Sequence, residues 1–147
     1  MSDLEKVCNW LLTFPKIDRI QGLGVDYYST KPNNGSVDPA GLVEISRNED
    51  ILGNVTVRNQ YNFVLYFVLA KSPEDNKGAT ENANWLLELQ RWIQEQSIRR
   101  KVPTFGDDPK TETIRAQNGK VDSADEEGTA LYSVLLSIEF TKIYKET

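Results

Sequence analysis

The chain has 147 residues, of which 39% are hydrophobic and 27% charged, as is typical of a single globular domain covering residues 1–147. Its 17 basic and 22 acidic residues give a formal net charge of −5, which disfavours sequence-independent binding of nucleic acid. One cysteine excludes an intramolecular disulfide. The apolar stretches are too short for a membrane helix, and the first residues do not resemble a signal peptide. We therefore expect a cytosolic protein without membrane contact.

The N-terminal segment predicts an amphipathic helix. Ser2 and Glu5 have the spacing of a capping box, and Pro15 marks the end of the pattern because the residue before a proline avoids the helical region. The apolar stripe between them consists of Leu4, Val7, Cys8, Leu11 and Leu12. We interpret Cys8 as a core residue, since the sequence gives no neighbour that would lower the pKa of its thiol.

Three strand patterns follow this helix. We predict a short strand over 24–29, a loop rich in proline, asparagine and glycine over 31–41, a second strand over 42–46 and a charged turn over 47–54. The strongest signal is the strict alternation over 54–70, which predicts a strand that is half exposed at its start and buried on both faces at its end. Because strands are usually shorter, this segment is either a ribbon that projects from the body or two strands joined by a bulge.

A second helix pattern covers 81–100, with Thr80 as its predicted N-cap. The helix has an acidic residue at its start and a basic cluster, Arg99, Arg100 and Lys101, at its end. Cations at a helix C-terminus complement the helix dipole, and we prefer this interpretation of the cluster to a nucleic-acid patch.

Asn118 and Gly119 are typical of a two-residue hairpin turn, which would join strands over 113–116 and 120–123. A helix ending at Gly119 is the alternative, because the same pair suits a C-cap. A last alternating pattern predicts a strand over 130–140. The resulting order, α-β-β-β-α-β-β, indicates an α/β protein of the α+β type, with a mainly antiparallel sheet and two principal helices packed on one face.

Residues that could perform chemistry are scarce. The sequence has no histidine, so no Ser-His-Asp or Cys-His pair can form, and zinc sites built from cysteine and histidine are excluded. Gly22 and Gly24 lack the third glycine of a dinucleotide fingerprint, and the acidic runs at 49–50, 107–108 and 125–127 lack EF-hand spacing. We therefore predict no enzyme activity, no cofactor and no metal site.

Five residues are candidates for contacts with a neighbouring subunit. Trp85 and Trp92 lie beside the apolar stripe of the second helix, where core packing is the default and contact of one tryptophan with a neighbour is the alternative. Arg47, Asp50 and Arg58 are candidates for ion pairs with a neighbour or with a tube that the protein contacts. Solvated residues of an ordinary turn are the other interpretation of these three.

Three segments resemble small proteins of tailed phages and prophages, the tail terminator-like or minor capsid (neck) proteins encoded among head–tail genes. The segments are EISRNEDILGNVTVRNQYNF from Glu44, NANWLLELQRWIQEQS from Asn82 and EFTKIY from Glu139. The resemblance extends over essentially the whole chain. It implies an α/β fold and a structural protein of the virion that assembles in the bacterial cytoplasm as a ring, typically a hexamer. The ring would end the tail tube and join it to the head connector, so the implied partners are the protein itself, the tail tube protein and the connector.

Other functions stay open at this point. A head-completion or other neck adaptor would need the same ring geometry. A small-molecule binding domain would need a closed pocket, for which Tyr61, Phe63, Trp85 and Tyr132 are the candidate lining. A hydrolase that uses carboxylates alone, at residues 107–108, is the least favoured alternative.

Overall fold

The computed structural model describes residues 1–25, 32–70, 76–124 and 128–146. Within these residues the chain forms five strands and two main helices, with short 3-10 turns at Ile17–Arg19 and Pro109–Thr111. The helices are α1 (Asp3–Leu11) and α2 (Asn76–Ile98), and the strands are β1 (Leu23–Val25), β2 (Asn34–Glu49), β3 (Val55–Ala70), β4 (Thr113–Ala124) and β5 (Thr129–Tyr144).

The five strands form one sheet in the order β1-β2-β3-β5-β4. β1 pairs with β2 in parallel, and the other pairs are antiparallel. β3 and β5 pair without a register shift from Val55–Tyr144 to Ala70–Thr129, so the centre of the sheet is one long two-stranded ladder. The predicted fold class and element order are confirmed.

Both helices lie on the same face of the sheet. The indoles of Trp10 and Trp92 stack at 5.2 Å between ring centroids and join α1 to α2, while Phe67 of β3 meets Trp85 of α2 edge-on at 5.0 Å. The core between helices and sheet is closed by the alternating side chains of the two central strands, among them Phe63, Leu65, Phe67, Val134, Leu136 and Ile138. Alternation thus decides which side of each strand is buried.

The predicted loop over 31–41 is wrong from residue 34 onwards, because β2 already begins at Asn34. Ser36 and Val37 are fully buried between β1 and β3, and pairing on both sides outweighs the low strand propensity of the neighbouring residues. Pro39 is tolerated because it lies beyond the end of β1, where the edge of the sheet requires no amide donor from it. The part of the first predicted strand after residue 25 lies outside the described residues.

Both interpretations of Asn118 and Gly119 are wrong. β4 continues through them, and its register against β5 shifts between Gln117 and Lys120. Asn118 has φ of 58°, the left-handed conformation of the first residue in one class of β-bulge. A Cβ at Gly119 would lie 2.1 Å from the Gln90 side-chain oxygen, so any larger residue there would displace the end of the Gln90 side chain.

The second helix begins earlier than predicted, at Asn76, so Thr80 lies inside it and is not its N-cap. The helix ends at Ile98, before the basic cluster, and Arg100 adopts a left-handed φ of 57°. The long alternating segment is one continuous strand, β3. The bulges of the sheet lie in β2 and β4, the strands that flank the central pair β3 and β5.

Candidate interaction surface

A long run of exposed residues lies in the exposed hairpin, which we define as residues 39–49 of β2, the tip 50–54 and residues 55–61 of β3. β1 pairs with β2 only at residues 35–37, and every residue of β2 from Pro39 to Glu49 is exposed. No other described strand pairs with this outer edge. Unpaired edges of this kind are templates for pairing with another chain.

Asp50 builds the tip of this hairpin. Its side chain accepts hydrogen bonds from the backbone amides of Leu52 and Asn54, both at 2.9 Å, and from the side-chain amide of Asn54 at 3.1 Å. The backbone hydrogen bond from Asn54 lowers the pKa of the Asp50 carboxyl. The loop is therefore held in one conformation by its own aspartate.

Two large aliphatic side chains occupy this ordered loop. Ile51 is fully exposed and Leu52 is 73% exposed. Leu42, Val43 and Ile45 add further exposed aliphatic surface on the adjoining strand. Exposed apolar clusters of this kind mark interaction sites in folded proteins more often than single exposed residues do.

Arg47 and Arg58 both have partners within the chain. Arg47 lies on the exposed hairpin, and its Nε donates to Glu44 Oε1 at 2.7 Å, which raises the pKa of the guanidinium. Arg58 donates to the backbone oxygen of Thr111 at 2.7 Å and to the hydroxyl of Thr141 at 3.0 Å. Arg58 therefore ties β3 to β5 and to the turn before β4, while Arg47 stays at the surface.

The two tryptophans of α2 have different surroundings. Trp85 is only 5% exposed and donates its indole N–H to the backbone oxygen of Lys16 at 2.9 Å. This burial places Trp85 in the core of the chain. Trp92 is partly buried and stacks on Trp10, so it is the tryptophan of α2 whose ring also reaches the surface.

A second apolar surface lies at the opposite edge of the sheet, between α2 and β4. We call it the α2–β4 pocket; it has a volume of about 300 Å³ and is lined by Ala79, Ala83, Leu87, Lys120, Val121 and Tyr132, among others. Leu87 is 60% exposed and Val121 is 50% exposed. A polar groove of about 490 Å³ adjoins it along the same two elements and contains Arg91 and Arg115.

The four aromatic residues proposed for a small-molecule pocket do not converge. Tyr61 and Phe63 line a cavity of about 300 Å³ beside the N-terminus of α1, whereas Tyr132 lines the α2–β4 pocket and Trp85 is in the core. In the first cavity the Tyr61 hydroxyl donates to Asp3 Oδ2 at 2.6 Å. Burial is the main cause and the hydrogen bond to Asp3 the second cause of the raised pKa of Tyr61, which is about 12.

In the acidic pair at 107–108, Asp107 forms hydrogen bonds with backbone groups of β5. Asp107 Oδ2 accepts a hydrogen bond from the amide of Ile143 at 2.8 Å, and the amide of Asp107 donates to Thr141 at 2.8 Å. The acidic run at 125–127 lies outside the described residues. Within the described ranges no group of three potential ligands is suited to a metal ion, and no helix there is long and apolar enough to cross a membrane.

Sequence reasoning missed the two aliphatic residues of the tip and the pair that lines the α2–β4 pocket. Ile51 and Leu52 stand within a charged, glycine-ended turn, where two adjacent large aliphatic residues are themselves an unusual signal. Leu87 and Val121 had no such signal, because their proximity depends on how α2 crosses β4. Comparison with protein-family models and with curated proteins finds no match to this chain.

Proposed function

We propose that this chain is a structural subunit of a tailed-phage particle, which assembles with copies of itself as a ring at the end of the tail tube. In this role the ring ends tube polymerisation and joins the tail to the head connector in the neck of the virion. The observation that supports self-assembly most directly is the exposed hairpin, which has an edge along β2 that no described strand pairs with and two aliphatic residues at its tip.

The phage assignment depends on the three segments that resemble terminator-like proteins. The segment 44–63 forms most of the exposed hairpin, and 139–144 forms the end of β5 that pairs beside it. The third segment, 82–97, lies in α2. One of the three segments thus coincides with the exposed hairpin, one pairs beside it, and the third contributes Ala83 and Leu87 to the α2–β4 pocket.

Light scattering tests this proposal on the purified protein, alone and mixed with tail tubes of the same phage. We expect either a ring-sized particle, near six subunits, or a monomer that binds tube ends. A monomer that ignores tubes at high concentration would overturn the proposal. Binding to head connectors without binding to tubes would instead support the head-completion adaptor.

A matched pair of variants sharpens the test. Ile45 of the exposed hairpin and Leu12 after α1 are each 47% exposed, so a charge at either site has a similar effect on the isolated chain. We expect Ile45→Lys to reduce assembly or tube binding at least tenfold, because it puts a charge at the unpaired edge, and we expect Leu12→Lys to assemble like the wild type. Equal loss in both variants would contradict a specific role for the hairpin.

A further inference from the structure

We propose that the hairpin tip of one copy docks into the α2–β4 pocket of the next copy. This inference rests on the self-assembly proposed above and adds the contact that produces it. The tip and the pocket are different surfaces of the same chain. A contact between them is therefore heterologous, and it closes into a ring when the rotation between neighbours allows closure.

The positions of the two surfaces keep them apart within one chain. Val121 in the pocket pairs with Tyr132 of β5, and Tyr132 pairs with Phe67 of β3. Phe67 is twelve residues along β3 from Val55, where the tip joins the strand, so tip and pocket are roughly 40 Å apart at about 3.3 Å per residue. They also lie at opposite edges of the sheet, so the tip can reach only the pocket of another copy.

The shapes of the two surfaces match. The tip presents Ile51 and Leu52 from a loop whose conformation Asp50 fixes, which lowers the ordering cost of binding. The pocket has small residues, Ala79 and Ala83, on its α2 side. Its volume of about 300 Å³ is at the small end for ligand pockets and suits one or two aliphatic side chains.

The charges of the two surfaces also match. Residues 39–54 of the exposed hairpin have three carboxylates, Glu44, Glu49 and Asp50, against one cation, Arg47. The second cation of the hairpin, Arg58 on β3, lies 3.8 Å from Glu139 of β5. The α2–β4 pocket and its adjoining groove are lined by three cations and by no carboxylate; the cations are Arg91, Arg115 and Lys120. Such complementarity speeds encounter and selects the register of docking more than it adds affinity.

Two nearby carboxylates do not reverse this charge pattern. Asp122 accepts a hydrogen bond from the Ser133 hydroxyl at 3.0 Å, which places its carboxylate on the opposite face of the sheet from Tyr132. Glu139 lies 3.8 Å from both Arg58 and Arg115, so it offsets part of the Arg115 charge, while Arg91 and Lys120 form no ion pair with a described residue. The lining of the pocket and groove therefore remains cationic.

The experiment uses one variant for each half of the contact. Leu52→Glu changes the tip and Leu87→Glu changes the pocket, and both positions are well exposed, at 73% and 60%. Ile98→Glu, at the end of α2 and 74% exposed, is the control. We expect the control to match the wild type, and each of the other two variants to associate at least tenfold more weakly in light scattering.

Mixing the two defective variants gives the decisive result. The Leu87→Glu protein keeps an intact tip and the Leu52→Glu protein keeps an intact pocket, so the mixture has one functional contact per pair. At protein concentrations where the wild type associates, we expect a one-to-one heterodimer that grows no further. If the wild type assembles only on tube ends, the same three variants are compared there, and loss in both defective variants with retention in the control is expected.

Other outcomes separate this inference from the proposed function. If both variants assemble like the wild type, the docking contact is wrong while ring assembly stands. If Leu87→Glu alone loses tube binding with self-association unchanged, the pocket receives a different protein and the inference is overturned. If the wild type neither associates nor binds tubes, the proposed function fails as well.

Discussion

Glu112 is the buried carboxylate whose removal should destabilise this chain most clearly. It is 6% exposed, and its Oε1 accepts hydrogen bonds from the amides of Phe105 at 2.6 Å and Gly106 at 3.1 Å. Glu112→Ala leaves both amides without this acceptor, and a buried unsatisfied donor costs about 1–3 kcal/mol. We therefore expect the free energy of unfolding to fall by about 2–5 kcal/mol.

A conservative variant separates the hydrogen bonds from the charge. Glu112→Gln keeps an oxygen acceptor but loses the charge-assisted part of two hydrogen bonds, and we expect a loss of about 1–2 kcal/mol. Part of the loss of stability in both variants comes through Phe105, which is 7% exposed. The centroid of its ring lies 6.4 Å from that of the Phe140 ring. A shift of this loop would also loosen its packing against β5.

Equilibrium unfolding in urea measures these losses from the shift of the midpoint at constant slope. Glu95→Ala is the control, because Glu95 pairs with Arg99 at 3.0 Å on the surface with its side chain 55% exposed, and such a pair contributes less than about 1 kcal/mol. If Glu112→Ala unfolds within about 0.5 kcal/mol of the wild type, a range typical of surface changes, the two amides find other partners and the reasoning is refuted.

Three further changes have definite expected outcomes. Gly106→Ala puts a Cβ 2.2 Å from the Thr141 backbone oxygen, and we expect a loss of about 2–3 kcal/mol in urea unfolding, as for overpacking. The pKa of the Tyr61 hydroxyl is raised to about 12, so the stability that this group contributes is complete below pH 10 and is lost as the pH rises towards 12. Tyr61→Phe should remove this part of the fall in unfolding free energy with rising pH. Asp50→Ala should speed hydrogen exchange at the tip amides.

Each of these outcomes has a matching control. Gly22→Ala should unfold like the wild type or slightly later, since the nearest atom to its Cβ would be 4.0 Å away. If the unfolding free energy of Tyr61→Phe changes with pH above 10 as it does in the wild type, the Tyr61 hydroxyl has the same pKa in the folded and the unfolded chain. For Asp50→Ala, exchange in the core of β3 is the internal reference, and equal acceleration there would indicate global destabilisation instead of an open tip.

The central elements of the fold could be predicted because their patterns are long. Seventeen alternating residues over 54–70 and the alternation over 130–140 fix two strands with defined inner faces. The region 34–41 could not be predicted, because its pairing with β1 and β3 is a tertiary effect that overrides glycine and proline. The prediction at Asn118 and Gly119 was wrong for a related reason, because a bulge and a hairpin turn use the same left-handed residues.

Only part of the candidate surface could be found from the sequence. The charged turn was found at Asp50, because charge and glycine mark it, whereas its first residues, 47–49, belong to β2. Trp85 could not be separated from Trp92 by spacing on one helix, since Trp85 packs on Phe67 of β3 and Trp92 stacks on Trp10 of α1. The α2–β4 pocket joins residues that are 34 positions apart at Leu87 and Val121, and no local pattern reports such proximity.

The size of the proposed contact explains why assembly should depend on the tube. A two-residue tip in a pocket of about 300 Å³ buries far less than the roughly 1,200–2,000 Å² of a stable interface. A contact this small is weak between two free subunits, and it becomes stable only when many contacts form together, because each added neighbour acts at a high effective concentration. A tube end that binds several subunits at once supplies that concentration. Ring closure would then occur where the tube stops growing, and free subunits would remain largely dissociated in the cell.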